Sequence, residues 1–221
     1  MNVSEALIAR KSVRAFTDQA VSEDQIRQIL NAARHAPSGV NTQPWQVAVV
    51  TGESKQALQA KIEAAFLAGE PSAQEYQYYP SEWREPYKSR RKECGLLLYS
   101  AVGINKEDTE RRREQWAANY RSFDAPVMLF FLMEAVMETG SYMDTGMFIQ
   151  SVMLAAVDMG LATCPQAALA EYPHIVREVL GYDDSVTVIC GMALGYEDVS
   201  APINNYRTPR LAVDEFTRFF D

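Results

Sequence analysis

The sequence predicts an α+β fold in which a small sheet is covered by helices, and four stretches carry that prediction. Ala125 to Met133 and Val186 to Gly195 are continuous apolar runs of strand length, the pattern of strands buried on both faces. Ser22 opens a helix, with Glu23 and Asp24 in its first turn and Gln25 at the capping-box position. Ser141 to Gly160 reads as a helix apolar nearly all round; its Met, Ala and Gly suit close packing in an interior. It is no membrane span, because Asp144, Gln150 and Asp158 interrupt it.

Taken in order, the chain first presents Arg10-Lys11-Ser12-Val13-Arg14, where four of five side chains donate hydrogen bonds and three are cationic. Guanidinium forks around a hydroxyl match the oxygens of a phosphomonoester. Read alone, the cluster is equally a solvated basic turn closing a first helix. The helix from Ser22 places Ile26, Ile29, Leu30 and Ala33 on one face, and Pro37 stops it. The loop Ala36 to Trp45 is rich in small residues and side-chain amides, so its backbone can approach a flat ligand while Ser38 and Asn41 offer hydrogen bonds. Gln46 to Thr51 reads as a short buried strand with Val47, Val49 and Val50 inside, and a helix follows from Ser54.

Glu70 to Tyr87 interleaves three prolines with Tyr76, Tyr78, Tyr79, Trp83 and Tyr87. Such a segment is either a lid over a site or an irregular excursion held down by its rings. Helices over Lys88 to Val102 and Glu107 to Tyr120 complete an excursion at about 70–120. After the long apolar helix, Leu161 to Leu169 is a loop of small residues with accessible N–H groups, leading to a helix from Tyr172 to Leu180 closed by Gly181. The tail from Leu211 to Phe220 is too apolar to be a free terminus.

With 221 residues, nearly half of them hydrophobic, the chain supports one domain with a sizeable core. The formal net charge of −8 disfavours nucleic acid and anionic membranes as partners. No apolar signal segment opens the chain, and Cys94, Cys164 and Cys190 lack metal or redox spacing, which together point to the cytoplasm. His35 and His174 stand apart from any ligand set, so no metal is expected and both read as structural. Cys164 before Pro165 reads as a buried structural thiol in preference to a nucleophile.

Arg10-x-Ser12-x-Arg14 followed by Pro37-Ser38-x-x-Asn41-x-Gln43-Pro44-Trp45 resembles the flavin-binding signature of the FMN-dependent nitroreductase family, and the resemblance runs from Ala6 to about Phe219. It implies a three-layer α/β/α fold with a central mixed sheet, a single domain over residues 1–221, and a homodimer that exchanges its C-terminal tails around the Ser141 to Gly160 helix. It implies FMN as cofactor and NAD(P)H as co-substrate, with ping-pong reduction of nitroaromatics or similar electron-poor aromatics and quinones. Arg10, Lys11, Ser12 and Arg210 then serve the phosphate, and Arg14 the N1 and C2 carbonyl edge. Pro37, Ser38 and Asn41 reach the same flavin from the partner, while Pro165, Gln166 and Ala167 run along the ring, where a backbone N–H near Ala167 bonds N5. Trp83 and Tyr87 are the substrate-facing candidates. No side chain is needed as a catalytic acid, since the flavin carries the electrons. Reductive dehalogenation of halophenols and a non-catalytic FMN-binding role are the alternatives.

Overall fold

A computed structural model describes all residues from Met1 to Asp221. In chain order it holds α1 (Val3–Ala9), α2 (Glu23–Ala33), β1 (Gln46–Val50), α3 (Gly52–Ala68), α4 (Tyr87–Ala101), α5 (Thr109–Ala117), β2 (Val127–Glu134), α6 (Thr139–Asp158), β3 (Ala162–Gln166), α7 (Pro173–Leu180) and β4 (Val186–Gly195). The strands form one sheet in the order β1-β2-β4-β3.

The two continuous apolar runs become the two central strands, and β2 shows why they had to be continuous. Its residues alternate between two cores, as a pleated strand demands. Val127, Leu129, Phe131 and Met133 pack with α2 and α6 through Ile26, Ile29, Phe148 and Val152. Met128, Phe130 and Leu132 face α3 and α7 through Leu58, Ile62 and Val176. Three layers, α/β/α, follow directly. Phe130 and Phe131 are both fully buried, and truncating either to Ala is expected to cost about 3–5 kcal/mol.

Several boundaries differ from expectation. All three strand ladders are antiparallel. The mixed character anticipated for the sheet is confined to the isolated parallel bridge of Ser12 with Thr163 at the β3 edge. β1 is an edge strand rather than a buried one, paired on one side only, so Val49 is 43% exposed and Val50 alone is buried. α2 ends at Ala33 with Arg34 as its C-cap, before Pro37 can act. α3 begins at Gly52, two residues ahead of the expected Ser54. The charged helix expected to run to Tyr120 stops at Ala117 and tightens into 3-10 turns over Ala118–Asp124. The segment Leu161 to Leu169 is not a loop: β3 occupies most of it and a 3-10 turn, Ala167–Ala170, follows.

The proline-broken excursion is fastened at its start. Beyond Gln166, β4 has no partner on its β3 side, and Glu75 and Tyr76 cover that open stretch. Glu75 accepts the Val188 N–H at 3.0 Å and a 2.6 Å bond from Arg177, while the Tyr76 hydroxyl donates to the Ile189 carbonyl. These bonds satisfy a strand edge that would otherwise offer itself for pairing.

Candidate functional site

α1 is ended by Arg10, and the chain then runs extended beside β3. The Val13 N–H donates to the Thr163 carbonyl at 3.0 Å, which sets Ser12 against the sheet edge. Between this segment and residues 206–210 lies a cavity of about 430 Å³, lined by Arg10, Lys11, Arg14, Arg207 and Arg210 and by no carboxylate. Ser12 lies on the same wall. The expected residues Arg10, Lys11, Ser12, Arg14 and Arg210 are therefore brought together within one chain.

The five cations do different work. Lys11 Nζ sits 2.6 Å from a Glu197 carboxylate oxygen and donates to the Asn204 carbonyl at 2.7 Å, so its charge is answered inside the chain. Arg207 donates to the carbonyls of Ile8 and Ala9 at 2.6 and 2.7 Å, capping the C-terminal end of α1. Arg14 donates to the Ser12 carbonyl and the Tyr206 hydroxyl, both at 3.2 Å. Arg210 donates within its own turn, to Thr208 and Pro209. Arg10 has no side-chain partner. Burial, followed by the charges of Arg210 and Arg207, pushes its guanidinium below the ordinary value. A doubly charged phosphate placed here would relieve that repulsion and satisfy the Arg10 fork.

Asn204 ties these pieces together, and nothing in the local sequence announces it. Its side-chain oxygen accepts the Arg14 N–H at 2.8 Å, and its amide donates to Ala15 and Asp198 carbonyls, each at 2.9 Å. It is buried, and it holds the Arg10 to Arg14 segment against the chain that leads to Arg210. Arg207 and Tyr206 likewise carry no local signal; both act through contacts almost two hundred residues away in sequence.

The Pro37–Asn41 loop does not line this cavity. It lies against α6, where Gly39 donates to Asp144, and it is closed by a Gln43 N–H bond to the Ser38 hydroxyl at 2.9 Å. Trp45 stacks on Phe148 with centroids 4.7 Å apart. Val40, Asn41 and Gln43 all have positive φ, and Val40 is 97% exposed. A β-branched residue in that region is strained, and strain of this kind gathers where a loop meets a ligand or partner.

Pro165, Gln166 and Ala167 lie where β3 passes into the 3-10 turn. Gln166 is buried, and its amide donates to the Asn119 carbonyl at 2.7 Å, so its side chain joins β3 to the end of the excursion. Its side-chain oxygen is buried without a partner, so that atom and the backbone groups are what this point offers a ring. The turn after Gln166 lies close on β4, because a Cβ at Gly191 would stand 2.8 Å from the Cβ of Leu169. Cys164 is buried and burial pushes its thiol up, as suits a structural cysteine.

Trp83 and Tyr87 are not on the basic cavity either. Trp83 is half-buried beside Tyr79 and beneath Arg91, and Tyr87 is exposed at the start of α4. Further along α4, Cys94 does reach the cavity wall. The excursion therefore borders the cationic pocket.

Comparison with known proteins places this geometry. The nitroreductase family model matches residues 7–196. The chain is 39% identical to a 4-nitrobenzoate reductase of Pseudomonas putida, over 97% of this chain and 94% of that one. It superimposes on the crystal structure of an FMN and NADPH-dependent nitroreductase, NfnB from Sphigopyxis sp. strain HMH, with a TM-score of 0.97, 42% identity and full coverage of both chains. It is similarly close to the FMN-dependent nitroreductase NfnB of Mycobacterium smegmatis in complex with NADPH, with a TM-score of 0.94, 31% identity and full coverage of both.

Proposed function

The chain belongs to the nitroreductase family, and from that premise we propose that it is an FMN-dependent oxidoreductase that uses NAD(P)H to reduce nitroaromatic or similar electron-poor aromatic and quinone substrates. The observation that carries this reading is the convergence of Arg10 with Arg207 and Arg210 in a cavity free of carboxylates. FMN held there would supply the redox chemistry, accepting reducing equivalents from NAD(P)H and passing them to the acceptor. Dehalogenation and non-catalytic flavin binding are not favoured, because the well-covered relatives are reductases of nitro compounds.

The protein's part is binding, orientation and electrostatics. Arg10, Ser12 and Arg210 hold the phosphate, and Lys11 stiffens that wall through Glu197. Arg14, oriented by Ser12 and Tyr206, supplies a fixed cation toward the N1 and C2 carbonyl edge, where it favours the electron-rich reduced form. Pro165, Gln166 and Ala167 contribute backbone groups along the ring, and Trp83 and Tyr87 contribute aromatic surface to the acceptor.

We assign residues 1–221 to one domain and place the protein in the cytoplasm as a homodimer. Three exposed surfaces support the dimer. Phe219 and Phe220 in the tail are 81% and 88% exposed. An open apolar groove of about 530 Å³ runs along the β1 edge past Val21, Ile26, Leu30 and Val49. α6 buries only part of its apolar circumference and leaves Met143 exposed. Exchange of tails into grooves, with Pro37, Ser38 and Asn41 reaching the partner's flavin, answers all three. No helix is long and apolar enough to cross a membrane.

The direct test is spectroscopic. The purified protein should be yellow, release FMN on denaturation, bleach with NAD(P)H under anaerobic conditions, and regain its colour when 4-nitrobenzoate is added. A different flavin, or a bleached flavin that no nitroaromatic or quinone reoxidises, would overturn the assignment.

A further inference from the structure

We propose that the left-handed turn Ser122–Asp124, which leads into β2, is a clamp that fixes the plane of the Arg14 guanidinium through the ring of Phe123 and thereby raises the reduction potential of the flavin. The clamp rests on the reading above, in which Arg14 faces the N1 and C2 carbonyl edge.

Ser122, Phe123 and Asp124 have φ of 52°, 53° and 58°, and none of them is glycine. Residues with a Cβ enter this region singly and at a cost, because the Cβ crowds the following carbonyl; a run of three multiplies that cost. A second cost lies in the same place, since the Ser122 hydroxyl is fully buried without a hydrogen-bond partner. Such a conformation persists only where its surroundings over-determine it. Here α3 does so. Arg121 pairs with Asp124 at 3.0 Å and with Glu63 of α3, and the buried Lys55 of α3 donates to the Arg121 carbonyl at 3.4 Å. The Ala125 N–H closes the turn on the Ser122 carbonyl at 3.1 Å.

What these ties hold in place is Phe123. Its ring is buried against Ala125, Cys164 and Ala193, and the Arg14 guanidinium lies over it at 5.9 Å from the centroid, within cation–π reach. The two hydrogen bonds that Arg14 donates, to the Ser12 carbonyl and the Tyr206 hydroxyl, both leave from Nη1. Bonds from one terminal nitrogen pin a point and leave the plane free to turn about it; the ring face is what fixes the plane. Space for such a turn exists. Arg14 lines the basic cavity and also an adjoining open cavity of about 340 Å³, and Phe123 is part of the wall of the second. A cation favours the electron-rich reduced flavin to the extent that it is held in place beforehand, so a guanidinium free to swing into the second cavity would do less. The strained turn therefore has a consequence at the flavin edge that an unstrained link into β2 would lack.

The experiment is a double-mutant cycle on the FMN-loaded protein, read by the reduction potential of the bound flavin. Phe123→Leu should shift the equilibrium toward oxidised flavin by about ten-fold, which is about 30 mV for a two-electron couple. Phe123→Tyr keeps the ring and should stay within about two-fold of the unsubstituted protein. Arg14→Gln should shift the equilibrium at least as far as Phe123→Leu, and Phe123→Leu should add nothing in the Arg14→Gln background. A ring that only fills the core would lower the melting temperature and leave the potential unmoved; that result, or additive shifts in the double variant, overturns the proposal. Should Phe123→Leu not fold, Phe123→Met takes its place in the cycle. A second readout needs no flavin. In the apoprotein the Arg14 Nε–H signal, assigned by its loss in Arg14→Gln, should relax as a rigid group on the ps–ns timescale, and as a mobile one in Phe123→Leu. Equal order in the two overturns the clamp. If the protein binds no FMN, the flavin reading fails, and the relaxation comparison still decides whether Phe123 fixes Arg14.

Discussion

Asp144, buried on α6, accepts a 3.1 Å hydrogen bond from the Gly39 N–H and so fixes the strained loop that follows α2. No basic residue pairs with this carboxylate. Asp144→Ala leaves a partly buried N–H without its acceptor, which costs about 1–3 kcal/mol. Because the loop is assigned to the partner's flavin, FMN affinity should fall by about ten-fold or more, with Asp144→Asn intermediate. Fluorescence titration of the apoprotein with FMN measures it. An unaltered affinity in a folded Asp144→Ala protein would remove the loop from the site.

Arg10 and Lys11 are adjacent in sequence but should separate in experiment. Arg10 faces the cavity without a partner, whereas Lys11 is spent on Glu197 and Asn204. Arg10→Ala should weaken FMN by about 1.5–3 kcal/mol while leaving riboflavin, which lacks the phosphate, unaffected. Lys11→Ala should chiefly lower the melting temperature. If riboflavin weakens as much as FMN in the Arg10 variant, the phosphate lies elsewhere.

How far the sequence discloses this site depends on the range of each interaction. The capping box of Ser22 and Gln25 was legible because both bonds close within three residues. β2 and β4 were legible because strands buried on both faces need unbroken apolar runs. β3 was hidden because Pro165 and small neighbours look like a loop; as an edge strand it needs bonds on one side only, and Pro165, opposite Met192, has no N–H to offer. Asp144 read as a mere interruption of an apolar helix, since its partner is 105 residues away. Asn204, three bonds deep in the Arg14 wall, carries no local signal at all.

Asn204→Ala follows from that last case. The change strips partners from the Arg14 N–H and from two carbonyls, all part-buried. A loss of at least about 2 kcal/mol is expected, or roughly 5 °C in melting temperature for a chain of this size. FMN should protect the variant less than the parent. A melting curve unchanged by the substitution would show that water replaces the amide without cost.

Glu171 offers a pH test. Burial raises its carboxyl, against the opposing pull of a 2.6 Å bond from the Tyr120 hydroxyl. A carboxyl raised in the folded state binds its proton more tightly there than in the unfolded chain, so its contribution is most favourable below the unfolded value and is lost as pH rises through the folded one. Glu171→Gln keeps an acceptor for Tyr120 and removes the titration. Its stability relative to the parent should therefore improve between mildly acidic and neutral pH, as read from melting temperatures across that range. A constant difference would show that Glu171 titrates normally.

A shared site is the sharpest consequence of the proposed dimer, because the single chain keeps the two proposed halves apart: Arg10 lies on the basic cavity, and Asn41 lies on a loop against α6. A chain carrying Arg10→Ala mixed with one carrying Asn41→Ala under exchange conditions puts both lesions on one flavin and leaves the other site intact. A doubly substituted chain mixed with the unsubstituted one damages both sites. Sites confined to single chains predict the reverse pattern in each mixture. Isolated heterodimers, made with two affinity tags and assayed for bound FMN and nitroarene reduction, discriminate the models. Interfaces that complete such sites typically bury about 2,000–5,000 Å². Sedimentation over a wide dilution range should accordingly find no flavin-bearing monomer, and one folded, yellow monomer would refute the exchange of tails.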